Sequence, residues 1–430
     1  MHDTTHRIPG LILTDHTFDV PLDPAVPRGE TLRVFAREAV CPDHETDDLP
    51  YLLFLQGGPG FPAPRPLRAS GWLKRALKEF RVLLLDQRGT GRSTPVTAQT
   101  LARFREPQAQ ADYLTHFRAD AIVADAEWIR RALLGDGRRW TILGQSYGGF
   151  CALHYLCTAP EGLDGALFTG GLPPIDQPAD HVYRATYERV FDRNRRYYER
   201  YPEDEALASR IVEALDAHDV RLPTGDRLSA RRFQQLGIGF GMSDGFERLH
   251  YLLEEAFVDA GAGKEISTAF LHGFNHTFAF GTNPIYAILH EAIYAQGEAT
   301  RWAAQRVRGE YPQFEAGATR RVHFTGEMIY PWMFEEICDL RPLREAAELL
   351  AQRSDWPRLY DREALSRNEI PCAAAIYHDD MYVDRRFSLE TADVLGSLRP
   401  WITNEYDHNG LRLDGESVLG RLLDLLRGKA

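Results

Sequence analysis

A serine, an aspartate and a histidine, each placed just after an apolar run, carry the chemistry legible in this sequence. The serine is Ser146, in Gly144-Gln-Ser-Tyr-Gly-Gly149, between the β-forming run 140–143 and the apolar helical run 147–156. A strand that turns at once into a helix holds its joining residue in a strained backbone conformation. Gly144 and Gly148 leave room for the two backbones to pass closely. The strain lifts the hydroxyl clear of the main chain, over the free N–H groups and positive dipole of the helix start. This is the G-x-S-x-G nucleophile elbow. A glycine-rich turn with an incidental serine has the same letters, so the rest of the chain must decide.

A hydroxyl attacks poorly without a base, and the base needs an orienting carboxylate. The run 370–376 leads into Tyr377-His-Asp-Asp380, and the run 401–404 leads into Glu405-Tyr-Asp-His-Asn-Gly410. Singly, His408 reads as a surface histidine and Asp380 as a turn carboxylate. Together, at the ends of two successive late strands, they supply base and acid in the order Ser146, Asp380, His408. Asp379 is a rival for the acid; counting from 370 as the strand start favours Asp380. Oxyanion donors are expected from the N–H groups of Gly58, in Gln56-Gly-Gly-Pro-Gly60, and of Tyr147. No Gly-Lys-Ser/Thr follows that glycine run, which weakens a phosphate-loop reading. Asp86-Gln-Arg-Gly-Thr-Gly-Arg-Ser93 lacks the third glycine of a dinucleotide motif and reads as a structural loop beside the site. His272 and His276 have helical spacing but lack the glutamate of H-E-x-x-H, so no metal and no cofactor are expected.

The elements that must position these groups follow from the hydrophobic pattern. Runs 51–55, 81–85, 140–143 and 165–169 read as buried strands alternating with helices such as 120–134, which predicts a mostly parallel sheet covered on both faces. Segments 17–20 and 31–39 predict an antiparallel pair at the sheet edge. From 176 to 367 the texture turns to Arg, Glu, Tyr and Phe at helical spacing. Strands return at 370–376 and 401–404, and 415–427 is a closing amphipathic helix. The prediction is an α/β core in two parts, 1–175 and 368–430, with a helical cap, 176–367, inserted between them. The cluster Arg193-Asn-Arg195-Arg196 reads as a solvated helix face.

The chain has 430 residues, 44% of them hydrophobic, and a formal net charge of −12. That is ample for a large core, and the acidic balance argues against nucleic acid or an anionic membrane as partner. The N-terminal stretch has no apolar run suited to a signal segment, and the five scattered cysteines lack CxxC spacing. A cytoplasmic protein is expected.

GGPG after the first central strand, DQRGTGRS after the next, GQSYGG at the elbow and the late Asp and His together resemble the prolyl aminopeptidase (proline iminopeptidase) family. This is an S33-type serine peptidase group of the α/β-hydrolase superfamily. The resemblance covers about 10–175 and 365–430. Gln56 stands where the family commonly has His, Tyr147 where its elbow often has Trp, and the cap is longer. The resemblance implies an α/β-hydrolase fold and release of an N-terminal residue, typically proline, from small peptides with a free N-terminus. It also implies a cap carboxylate for the substrate's amine. Glu327, amid aromatics in Phe324-Thr-Gly-Glu-Met-Ile-Tyr330, is the best match, with Glu335 and Glu336 behind it. A surface or capping role for Glu327 stays open. So do an aminopeptidase of broader specificity, an esterase, and a binding protein that has kept the fold without the catalysis.

Overall fold

The computed structural model describes residues 4–261, 263–317 and 321–429. Its strands are β1 (Thr4–Ile8), β2 (Leu11–Pro21), β3 (Thr31–Val40), β4 (Tyr51–Leu55), β5 (Arg81–Asp86), β6 (Trp140–Gln145), β7 (Leu163–Thr169), β8 (Phe257–Asp259), β9 (Lys264–Ile266), β10 (Cys372–Tyr377) and β11 (Leu398–Thr403). All but the β8–β9 hairpin join one sheet, in the order β1-β2-β3-β5-β4-β6-β7-β10-β11. The pairs β1–β2, β2–β3 and β3–β5 are antiparallel, and the rest, from β5 to β11, are parallel.

The unbroken apolar runs have a physical cause. Successive strand residues face opposite ways, so a strand covered on both faces must be apolar throughout. Leu53, Leu55, Leu83, Leu85 and Ile142 join a core with the helices Ala119–Leu134 and Tyr147–Thr158. Their neighbours Leu52, Phe54, Val82, Leu84 and Leu143 pack on the other face with Gly71–Ala76 and Gly415–Leu426. Each such side chain contributes roughly 1.5–3 kcal/mol of burial.

Strands β7 and β10 are direct neighbours, Cys372 opposite Ala166, although the segment 170–371 lies between them in the chain. That segment is mainly helical; its longest helix is Ala179–Arg200. Two of the strand assignments differ from the sequence reading. The edge strand is β1, not the pair that became β2 and β3, because β1 buries no residue and so shows no apolar pattern. The hairpin β8–β9 breaks the helical run, and its three-residue strands are too short to leave a periodic signal. Among the described residues no helix is long and apolar enough to cross a membrane.

Candidate active site

The elbow is built by exclusion of volume. A Cβ on Gly144 would stand 2.4 Å from the Gly148 carbonyl oxygen, and one on Gly148 would stand 1.9 Å from that of Leu55. Strand β6 and the helix Tyr147–Thr158 therefore meet closer than any side chain allows. Ser146 joins them at φ 53°, ψ −124°, a conformation that costs about 1–3 kcal/mol for a non-glycine residue. Its N–H donates to Thr169 O at 3.0 Å, and its carbonyl accepts from Gly149 N–H at 2.7 Å, which hold the turn. Tyr147 heads the helix, so its N–H has no partner within it. Its side chain turns into the core, where burial pushes the phenol well above its usual pKa.

Asp380 and His408 are joined by the shapes of two loops. Asp380 follows β10 and is 1% exposed; its Oδ1 accepts from the N–H groups of Tyr382 (2.8 Å) and Val383 (3.0 Å). Its Oδ2 accepts from His408 Nδ1 at 2.7 Å. The carboxylate can only accept, so Nδ1 carries the proton and Nε2 is left with its lone pair. Burial alone would lower the His408 pKa. The charge and hydrogen bond of Asp380 outweigh it, the Glu327 charge adds to them, and the imidazole ends above its ordinary value. The Tyr382 ring stands edge-on to His408, centroids 4.7 Å apart.

Asp379 goes elsewhere. It accepts from Arg196 Nη1 at 2.8 Å and from His378 Nδ1 at 2.9 Å. Burial would raise its pKa; these two bonds prevail and hold it down at about 2. Arg193, one helical turn before, donates to Asp379 O at 2.7 Å and to the Asp407 carboxylate. The helix Ala179–Arg200 thus grips the residue before Asp380 and the residue before His408. This corrects the reading of the basic cluster: Arg195 faces solvent with Asp192 and Glu199, whereas Arg193 is 8% exposed. Two residues apart on a helix, Arg193 and Arg195 point to different sides, whereas Arg196, three on from Arg193, shares its side; composition does not say which side is buried.

Ser146, His408, Gly58 and Glu327 line one cavity of about 570 Å³. Gly58 has φ +140°, and a Cβ on Gly57 would touch the Ser146 Cβ at 2.8 Å, so this loop lies directly against the elbow. The loop after β5 supports it, with Gln87 Nε2 donating to Gln56 O at 3.0 Å. The rest of that loop is structural, as its sequence suggested. Asp86 binds Arg65, and Arg88 is buried against Asp125 at 2.6 Å. Glu327 reaches the cavity from the segment between β7 and β10 and accepts from the Tyr286 hydroxyl at 2.8 Å. Glu335 pairs with Arg344 at 2.8 Å, and Glu336 accepts from Ser229 and Arg231, both at 2.6 Å; neither lines the cavity. Sequence reasoning missed Tyr286, Tyr382 and Arg412, which line the same cavity. None sits in a motif, and no local signal marks them.

A family profile described as alpha/beta hydrolase fold matches residues 50–289. A protein of Aeromonas sobria named proline iminopeptidase is 53% identical over 419 residues, covering 97% of each chain. One of Aspergillus aculeatus, named proline iminopeptidase aneH, is 36% identical over 429 residues, covering 98% of this chain and 95% of its own. A crystal structure of a proline iminopeptidase from Mycobacterium smegmatis aligns over 96% of this chain and 98% of that one, at 13% identity and a TM-score of 0.45, too distant to argue from. With the profile spanning more than half of the chain and two relatives matching it nearly end to end, the chain belongs to the proline iminopeptidase family of α/β-hydrolases.

Proposed function

We propose that the enzyme is a serine exopeptidase that releases an N-terminal residue, preferentially proline, from small peptides through an acyl-enzyme. One observation carries the reading: the buried Asp380–His408 pair opens onto the cavity that also holds Ser146 and the carboxylate of Glu327. His408 Nε2 takes the Ser146 proton as Oγ attacks the carbonyl carbon of the first residue. The N–H groups of Gly58 and Tyr147 receive the oxygen as it becomes negative. His408 then gives its proton to the departing amine, leaving an ester on Ser146. Water, deprotonated by His408, cleaves that ester and frees the amino acid. Asp380 keeps the imidazole in the needed tautomer and stabilises it when charged.

Glu327 makes this an exopeptidase site. Tyr286 occupies one carboxylate oxygen and the other is available to the protonated ring nitrogen of an N-terminal proline. Phe278, Phe280 and Ile238 line the same cavity and suit a pyrrolidine ring. The helical segment 176–367 acts as the cap that brings this carboxylate over the serine. A cytoplasmic setting belongs to the proposal, supported by five unpaired thiols.

The test is a panel of prolyl, alanyl and N-acetylprolyl arylamides and a simple ester, with wild type and Ser146→Ala. The proposal expects prolyl arylamide to lead, N-acetylation to abolish turnover, and Ser146→Ala to lose about 10⁶-fold in kcat. Equal cleavage of the acetylated substrate, or of the ester, would replace the exopeptidase with a general amidase or esterase. Equal rates for alanine would leave an aminopeptidase of broad specificity.

A further inference from the structure

Among the residues lining the cavity, Arg412 alone is an arginine or lysine. It stands four residues after His408, on the short helix Gly410–Leu413, with its N–H bonded to Asn409 O at 2.9 Å. Its guanidinium makes no ion pair among the described residues; its side chain donates a hydrogen bond to Met242 Sδ at 3.6 Å. Arg193 and Arg196, by contrast, are each paired with a carboxylate. A strongly charged group facing a substrate cavity without a partner is suited to a partner that the substrate brings.

The side of the cavity follows from the chemistry. The leaving amine takes its proton from His408, so whatever lies beyond the scissile bond must lie on the His408 side. Arg412 belongs to the turn that follows His408. Beside it is an apolar shelf, where Trp72 and Phe54 stack with centroids 4.5 Å apart and Leu411 closes the wall. Glu327 lines the same cavity with the opposite charge, so the cavity that holds Ser146 and His408 carries one negative and one positive side chain. A volume of about 570 Å³ is that of a site for a whole small molecule, well beyond one pyrrolidine ring.

We propose that Arg412 is a carboxylate-binding subsite for the C-terminus of a short peptide substrate, with the Trp72–Phe54 shelf receiving the side chain of the residue after proline. The substrate class is then a di- or tripeptide with a free amine at one end and a free carboxylate at the other. This rests on the exopeptidase reading above.

The test compares prolyl-leucine and prolyl-leucyl-glycine with their C-terminal amides, in wild type and Arg412→Gln, at the pH of maximal activity. Prolyl arylamide, which has no carboxylate, reports separately whether the exopeptidase chemistry exists. Wild type should favour the free acid over the amide by about tenfold in kcat/KM for at least one peptide length, chiefly through KM. Arg412→Gln should bring that ratio to about one, and added salt should shrink it in wild type, because the guanidinium is solvent-exposed. The ratio is taken within each enzyme, so a general loss of activity in the variant cancels. A wild-type ratio near one at both lengths, or a ratio unchanged by the substitution, overturns the proposal while leaving the peptidase intact. No turnover of prolyl arylamide by wild type overturns the exopeptidase reading itself and this proposal with it.

Discussion

Asp380→Asn is the substitution whose consequence the geometry determines most closely. Asp380 Oδ1 is fixed by two backbone donors, the N–H groups of Tyr382 and Val383 at 2.8 and 3.0 Å. An asparagine there must keep its oxygen on those donors, since its amide nitrogen would face two N–H groups. The amide nitrogen is then forced to where Oδ2 now meets His408 Nδ1 at 2.7 Å. It donates, so Nδ1 must accept, and the imidazole proton moves to Nε2. The lone pair that should take the Ser146 proton is gone. Inverting a catalytic histidine's tautomer in this way costs a serine protease about 10⁴-fold in kcat, or about 5.4 kcal/mol in the barrier. The imidazole also loses the charge that outweighs its burial, so its pKa drops. Asp379→Asn is the control. Its side chain is 28% exposed and bonded to Arg196 and His378 rather than to His408. An exposed pair of that kind is worth about 0–1 kcal/mol, so activity should stay within about tenfold. The assay is kcat and kcat/KM on prolyl arylamide for both variants, with circular dichroism to show that each is folded. Retention of activity within tenfold by Asp380→Asn, or a larger loss from Asp379→Asn, would refute the argument.

The acid limb of kcat/KM against pH should have its midpoint above the ordinary histidine value of about 6.5. The His408 pKa is raised, only its neutral form is a base, and activity is therefore lost as pH falls through that raised value. A midpoint below 6 in wild type would contradict the Asp380–His408 bond. Glu327→Gln should lower kcat/KM for prolyl arylamide by at least about 30-fold, because truncating one member of a desolvated charge pair costs about 2–5 kcal/mol. The residual rate on an ester without an amine should change far less; a common factor for both substrates would make Glu327 structural. Arg193→Met leaves Asp407 largely buried without its cation. This should cost about 3 kcal/mol, read as a lower Tm in thermal denaturation, with a fall in kcat because Asp407 adjoins His408. An unchanged Tm would mean that the guanidinium contributes nothing to holding the two loops.

Much of the site was legible because its conformations are local. Gly144 and Gly148 announce a close backbone crossing, and the contacts a Cβ would make there, 2.4 and 1.9 Å, give the steric reason. The apolar runs of β4, β5 and β6 announce strands covered on two faces. Strand β1 was illegible because none of its residues is buried. Tyr286 was illegible because its bond to Glu327 joins residues 41 apart, through elements whose approach no short pattern describes.

Sequence alone determined that a serine stands at a strand–helix corner, that glycines lie ahead of it, and that acid and histidine follow in loops after late strands. Those are statements about backbone sterics and solvent preference within a dozen residues, which side-chain types encode directly. The tertiary structure decided the rest. It brought Asp380 rather than Asp379 to His408, across 28 residues of sequence. It turned Arg193 inward while leaving Arg195 in solvent. It also put Glu327 and Arg412 on one cavity with Ser146. Two adjacent carboxylates have the same local chemistry. Which one finds the imidazole depends on how β10 and β11 set their loops side by side, and only the assembled sheet specifies that.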